Sequence, residues 1–313
     1  MGNSRRLTAL SGLFVLLVTA ALPAAAAERA DLVLKGDAKC TRCHNEGEEM
    51  PILAIGATRH GTQADTRTPT CASCHGESDT HALKPEGLKE RPRPERTFGK
   101  SSVTPIAARN QACLTCHQGG KRIHWQTGAH SRFQVACTSC HQVHTQHDRV
   151  RDKATQPEVC FACHKEQRTQ ITRPYRHPIP EGKVVCSDCH NPHGSAGPSM
   201  LARDNVNDTC YACHTEKRGP FVRNHQPVNE NCAICHQPHG TTNPNLLRQR
   251  SPFLCQQCHE PTGHRGTIPN VTGGAPGSLA RTVILARGCV NCHTNIHGTN
   301  NPIDAAGERT FRR

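Results

Sequence analysis

Ten times along the chain, two cysteines stand with two residues between them and a histidine directly after the second: CTRCH at 40, CASCH at 71, CLTCH at 113, CTSCH at 137, CFACH at 160, CSDCH at 186, CYACH at 210, CAICH at 232, CQQCH at 255 and CVNCH at 289. The paired thiols are Cys40 and Cys43, Cys71 and Cys74, Cys113 and Cys116, Cys137 and Cys140, Cys160 and Cys163, Cys186 and Cys189, Cys210 and Cys213, Cys232 and Cys235, Cys255 and Cys258, and Cys289 and Cys292. They use all twenty cysteines of the chain. Two thiols at this spacing add across the vinyl groups of a haem, and the adjacent histidine supplies one axial ligand to iron. Cys-x-x-Cys alone also serves redox dithiols and zinc knuckles, but neither needs a histidine after every pair. The expected cofactor is haem c, ten copies covalently attached, with His44, His75, His117, His141, His164, His190, His214, His236, His259 and His293 as proximal ligands.

The remaining histidines follow a pattern of their own. Of twenty-two, twelve lie outside the motifs. Grouping the motifs in successive pairs gives five two-haem units. Each unit holds one histidine between its motifs (His60, His130, His177, His225, His264) and one trailing the second motif (His81, His144, His193, His239, His297). Ten candidates for ten sixth positions predict bis-histidine ligation throughout, with His124 and His147 left over. In CSDCHNPHG, His193 follows His190 by three residues. Three residues span at most about 10 Å, whereas reaching the opposite haem face around the porphyrin rim takes roughly 15 to 20 Å. His193 is therefore expected to serve a neighbouring haem, as are His144, His239 and His297. Spacing leaves the exclusive pairing of each histidine with an iron open. For His81 and His264, in looser contexts, a surface or propionate-bonding role competes, with His124 and His147 as replacements. Met50 and Met200 offer a His/Met alternative that ten available histidines make unnecessary.

The elements that must position these groups are expected to be slight. Only ten side chains are aromatic (seven Phe, one Trp, two Tyr), too few to centre an ordinary core. Twenty-two prolines and twenty-five glycines interrupt the chain, and no sustained alternation appears. The expected fold class is a multihaem cytochrome c, mostly irregular with short α-helices and little or no β-structure, elongated and built from five two-haem units. Porphyrin, not leucine, should be its chief buried apolar material. The longest gap between motifs, 76–112, is charged and contains proline; it reads as an exposed excursion, a partner contact or a hinge. The glycine-rich span 263–277 and the tail GERTFRR are further expected mobile segments.

At the amino terminus Arg5 and Arg6 precede an apolar stretch, Leu7 to Leu22, and then small residues. This is the pattern of a secretory signal peptide over 1–27, cleaved after Ala27; an uncleaved anchor is the competing reading, disfavoured by the short, alanine-rich run. The domain expected after it is a decahaem cytochrome domain over 28–313, with a division into two pentahaem halves, about 28–180 and 181–313, as a variant. No later run approaches the roughly 18 apolar residues that cross a bilayer. A bacterial periplasmic setting follows. The formal charge of +13 would suit a nucleic-acid surface, but ten haems with ionised propionates bring roughly −10 to −20 by charge counting. The basic side chains are better read as propionate partners and solvated surface, and no nucleic-acid partner is expected.

A chain that supplies two histidines per haem closes the sixth position that a catalytic haem needs open, so no catalytic residues are expected and the function class is electron transfer. The run KRGPFVRNHQPVNENCAICHQPHGTTNPNLLRQRSPFLCQQCH at 217–259 and RHPIPEGKVVCSDCHNPHG at 176–194, with ten haem motifs and a leader, resemble the periplasmic decahaem cytochromes of the MtrA/PioA/DmsE type. The likeness covers essentially the mature chain and is densest from about 155 to 295; it is weaker over 76–112. It implies a haem wire threaded into an outer-membrane β-barrel porin. Such a wire receives or delivers electrons at periplasmic or inner-membrane cytochromes and, beyond the barrel, at an extracellular multihaem cytochrome or reductase. The implied location is the periplasm, associated with the outer membrane through the barrel. At on the order of 10 Å per haem, ten in line outreach the roughly 40 to 45 Å of a bilayer with its headgroups. A soluble periplasmic carrier serving a terminal reductase is the alternative, and a multihaem oxidoreductase the third.

Overall fold

The computed structural model describes residues 37–45, 51–61, 67–259, 288–291 and 293–301. The leader, Met50, His264, Cys292, the span 263–277 and the carboxy-terminal tail lie outside them.

Within the described residues the fold is a series of short helices and turns. The longest α-helix, Ile106–Leu114, has nine residues, and β-structure is confined to four isolated bridges. The helices are placed by the attachment motifs. Cys71–His75 and Cys186–Cys189 are helical, and Cys137–Ser139 and Cys232–Ile234 form single 3-10 turns. In each described motif whose bond is recorded, the histidine N–H closes the turn on the first cysteine, as His190 N does on Cys186 O at 2.9 Å. The turn therefore carries both thiols and the imidazole on one compact segment.

Few apolar side chains are buried: Trp125, Ala136, Phe161, Ile171, Ile179 and Val185. The one cluster among them is Phe161, Ile171 and Ile179, backed by Val184. Polar side chains take the structural role instead. In each unit, a polar side chain shortly before the first motif accepts a backbone N–H at or beside the first cysteine of the second motif. Asp37 binds Cys71 N at 2.6 Å, Asn110 binds Cys137 N at 2.8 Å and Asn207 binds Cys232 N at 2.7 Å. Gln156 accepts from Ser187 N at 3.0 Å, and Ser251 Oγ accepts from Cys289 N at 2.9 Å. Asp37, Asn110, Gln156 and Asn207 are buried, so these bonds are shielded from water and join the two motifs of each unit.

A second device joins one unit to the next. The segment trailing the even motifs folds back onto the preceding unit as a clasp: Tyr175 pairs with Thr241 and Arg223 with Thr299 as antiparallel bridges. The glycine after His193, His239 and His297 makes the approach. Gly194, Gly240 and Gly298 have φ of 106°, 149° and 135°, and a Cβ at Gly240 would run into the Gln170 carbonyl. Only glycine accepts both the dihedral and the contact.

The stretch 76–112 is folded against the first unit. Glu95 accepts from Ser78 N at 3.0 Å while Ser78 Oγ accepts from Glu95 N at 3.0 Å, and the carbonyls of Pro92 and Arg96 face His81 and His75.

Candidate functional site: opposed imidazoles along a line of thiols

The attachment thiols form one unbroken series. Within each unit the first cysteines meet: Cys40 with Cys71, Cys113 with Cys137, Cys160 with Cys186, Cys210 with Cys232 and Cys255 with Cys289 are side-chain hydrogen-bonding neighbours. Between units the second cysteine of one motif lies within electrostatic reach of the next motif. Burial first, then the adjacent thiols, push Cys74 up beside Cys113 and Cys116, Cys140 beside Cys163, Cys189 beside Cys210 and Cys213, and Cys235 beside Cys258. The order of the motifs in the chain is thus their order in space. The Cys160 and Cys186 contact runs straight across residue 180.

Among the described residues nine motif histidines face a second histidine. Inside the first unit His44 faces His81, with ring centres 6.0 Å apart. Four pairs reach forward, from the histidine between two motifs to the first motif of the next unit: His60 to His117 at 5.9 Å, His130 to His164 at 6.1 Å, His177 to His214 at 6.3 Å and His225 to His259 at 5.9 Å. Four reach backward, from a trailing histidine to the second motif of the preceding unit: His144 to His75 at 6.2 Å, His193 to His141 at 6.0 Å, His239 to His190 at 6.1 Å and His297 to His236 at 6.2 Å. His264, the remaining candidate, lies outside the described residues. His124 and His147 are exposed, and Met200 lies in the turn after CSDCH, where its carbonyl accepts from Asn191 N at 2.7 Å.

The spacing bears on what these pairs can hold. Ring centres stay between 5.9 and 6.3 Å while the planes vary from 7° to 87°. Direct ring packing would couple separation to angle. Two metal–nitrogen bonds of about 2 Å and about 1.1 Å from each nitrogen to its ring centre sum to about 6.2 Å, whatever the ring rotation. Nδ1 is tied off as ligation requires. His75, His190 and His236 donate it to the carbonyls of Arg96, Ser199 and Asn245 at 2.9 to 3.0 Å. His81, His130, His144 and His177 donate to those of Pro92, Pro192, Ile52 and Pro238 at 2.7 to 2.8 Å. This fixes the tautomer that offers Nε2 to a metal. The carbonyls of Ser199 and Asn245 are aimed by residues in the left-handed region, with φ of 51° and 58°, a local strain kept for a purpose.

Burial depresses His60, His75, His117, His225, His236, His239 and His297, and holds His193 down to about 4, with His141 and Arg122 adding. Neutral imidazole is the form that binds a metal. The surroundings also fit a large apolar group: Phe133, Leu83 and Val222 are 75 to 80% exposed to anything beside the polypeptide. Arg109, Arg122, Arg176 and Arg223 each hold a buried Nε without a protein partner, as side chains awaiting an anion do. The donor set, the fixed separation and the apolar side chains that the polypeptide leaves uncovered fit haem c.

The buried Asp37, Asn110 and Asn207 are the residues that spacing analysis of cysteine and histidine misses. Their signal is there: each stands three positions before the first cysteine of its unit.

Comparison with known proteins follows the same segments. The doubled CXXCH motif family matches residues 177–219 and 225–264, and the NrfB-like cytochrome c-type family matches residues 71–154. The chain is 42% identical over 273 residues to Multiheme cytochrome MtrA of Shewanella baltica, covering 86% of this chain and 80% of that one. It is 30% identical over 144 residues to Cytochrome c-type protein NrfB of Escherichia coli, covering 42% and 68%. It is 24% identical over 265 residues to the High-molecular-weight cytochrome c of Nitratidesulfovibrio vulgaris, covering 82% and 44%.

Proposed function

The chain belongs to the multihaem c-type cytochromes that include MtrA, electron-transfer proteins and not enzymes, and from that premise we propose that it is a decahaem conduit carrying electrons between periplasmic carriers and the cell exterior. The reading is supported above all by the unbroken series of attachment sites from Cys40 to Cys289. Each site neighbours the next, as a relay over a distance requires.

The residues divide the work. The cysteine pairs would hold each haem, the motif histidines would supply one imidazole to its iron, and His81, His144, His60, His193, His130, His239, His177, His297 and His225 would supply the second at the first nine motifs, in that order. His264 is assigned to the tenth. Haem held there would supply one-electron exchange. The imidazoles would exclude substrate from the metal, and the carbonyls on Nδ1 of His75, His81, His130, His144, His177, His190 and His236 hold those rings in one orientation, so little rearranges there when charge moves.

Crossing the outer membrane falls to a partner. No helix of the described residues is long and apolar enough to span a bilayer, and lipid does not tolerate irregular backbone. A β-barrel porin sheathing the cytochrome supplies the passage, with periplasmic or inner-membrane cytochromes at one end and an extracellular cytochrome or reductase at the other. The test is detergent extraction of native membranes, followed by electron flow across liposomes holding the extracted complex. Stoichiometric co-purification with a barrel and reduction of an acceptor on the far side are expected. Recovery of all the haem-stained chain as a free periplasmic protein would overturn the conduit in favour of a soluble carrier.

A further inference from the structure

The pair His141 and His193 differs from its neighbours at both ends. For the other rings with a recorded Nδ1 hydrogen bond, the acceptor is a backbone carbonyl. His141 Nδ1 instead donates to Asp148 Oδ2 at 2.6 Å. The carboxylate is only 16% exposed and is held at its other oxygen, where Oδ1 accepts from Gln142 N at 3.1 Å. Across the gap, His193 Nδ1 is buried and has no hydrogen-bond partner. Glu216 stands 3.8 Å from His214 Nδ1, outside hydrogen-bond distance and with both side chains exposed, so it does not repeat the arrangement.

We propose that Asp148 is a positioning residue that lowers the reduction potential of the haem shared by His141 and His193, creating a step inside the series. This rests on the ligation assigned above. A carbonyl offers His141 a dipole, whereas an ionised carboxylate offers a full negative charge through a bond about twice as strong. That charge makes the imidazole a better electron donor, as partners of metal-bound histidines do. It favours ferric over ferrous iron, because the oxidised centre carries one more positive charge. The opposite ring has no hydrogen bond, so nothing comparable acts from its side. The electron is held less tightly there, where the second unit meets the third, than a carbonyl partner on His141 would allow, and traffic in either direction crosses that step.

The test uses the mature holoprotein with Asp148→Asn, Asp148→Glu and, separately, His193→Ala. Potentiometric titration is read together with the low-spin and high-spin signals of the ferric haems. In Asp148→Asn all haems should stay low-spin while one titrates at a higher potential, by at least a tenfold gain in electron affinity, about 59 mV for one electron. Asp148→Glu should restore part of the shift. Unchanged potentials with all haems low-spin would overturn the proposal, and so would a high-spin signal that Asp148→Glu does not relieve, which would make Asp148 a structural prop. His193→Ala separates the two readings. If it leaves every haem low-spin, the ligation assignment fails; if it opens one haem while Asp148→Asn moves no potential, the tuning role alone fails.

Discussion

The imidazole of His193 lies parallel to that of His141, 6.0 Å away with the planes inclined by 7°, while the motif beside it in sequence turns His190 toward His239 at 6.1 Å. A histidine three residues past one attachment site thus faces the ring of another unit. Repeated at His144, His239 and His297, and reversed in direction at His60, His130, His177 and His225, this relationship interlocks neighbouring units. Each clasp also joins the two directions. His130, His177 and His225 hydrogen-bond the carbonyls of Pro192, Pro238 and Ile296, the residues just before His193, His239 and His297.

The interlock makes the effect of a lost histidine non-local. His297→Ala should leave the haem at Cys289 and Cys292 six-coordinate and open the one held by His236, giving one high-spin haem in ten by magnetic circular dichroism. Opening of the haem held by His293 instead would contradict the backward pairing.

The buried polar locks carry stability that apolar packing does not. Asn207→Ala removes the acceptor of Cys232 N and the donor to Val228 O at 2.8 Å and Asn229 O at 3.1 Å. Leaving buried backbone groups unpaired costs about 1–3 kcal/mol, read as a lower guanidinium midpoint. Asn207→Asp keeps an acceptor for Cys232 N but sets a carboxylate oxygen against the Val228 and Asn229 carbonyls, so it should not restore the midpoint.

The clasp is sensitive at its glycine. Gly240→Ala forces an alanine to φ 149° and its Cβ against the Gln170 carbonyl, a strain on the order of 1–3 kcal/mol. The expected outcome is a less stable holoprotein that proteases cut faster near 175 and 241. A midpoint equal to that of the unaltered protein would show that the clasp is dispensable.

Without haem the polypeptide should not fold. Among the described residues six apolar side chains are buried; at about 1.5–3 kcal/mol for a large one, they face a backbone ordering cost of about 1–2 kcal/mol for every residue. Chain made without haem attachment should show no cooperative melt by circular dichroism, and a sharp two-state transition would contradict this.

How much of this could be read beforehand follows from how local each interaction is. The thiols and motif histidines are legible because a covalent attachment dictates their spacing within five residues. The distance His193 can reach separates it from its own motif's haem, but spacing does not reveal that His141 faces it. That pairing depends on the fold-back at Gly194, where Asn191 Nδ2 donates to the Lys121 carbonyl at 2.8 Å and a Cβ would run into the His124 carbonyl. The span 76–112 offers no motif. Its role emerges only where the Pro92 and Arg96 carbonyls meet His81 and His75. Asn110 and Asn207 are silent for another reason: a lone asparagine within a short helix carries no motif, although its bond crosses to the other attachment site.

The most direct measurement is a crystal structure of the mature holoprotein at a resolution that shows the axial ligands. An iron between His141 and His193, with the other haems each closed by the histidine facing its motif and following one another in chain order, is the predicted result. An iron shared by His190 and His193, or a haem out of that order, would contradict the interlocked series on which the account rests.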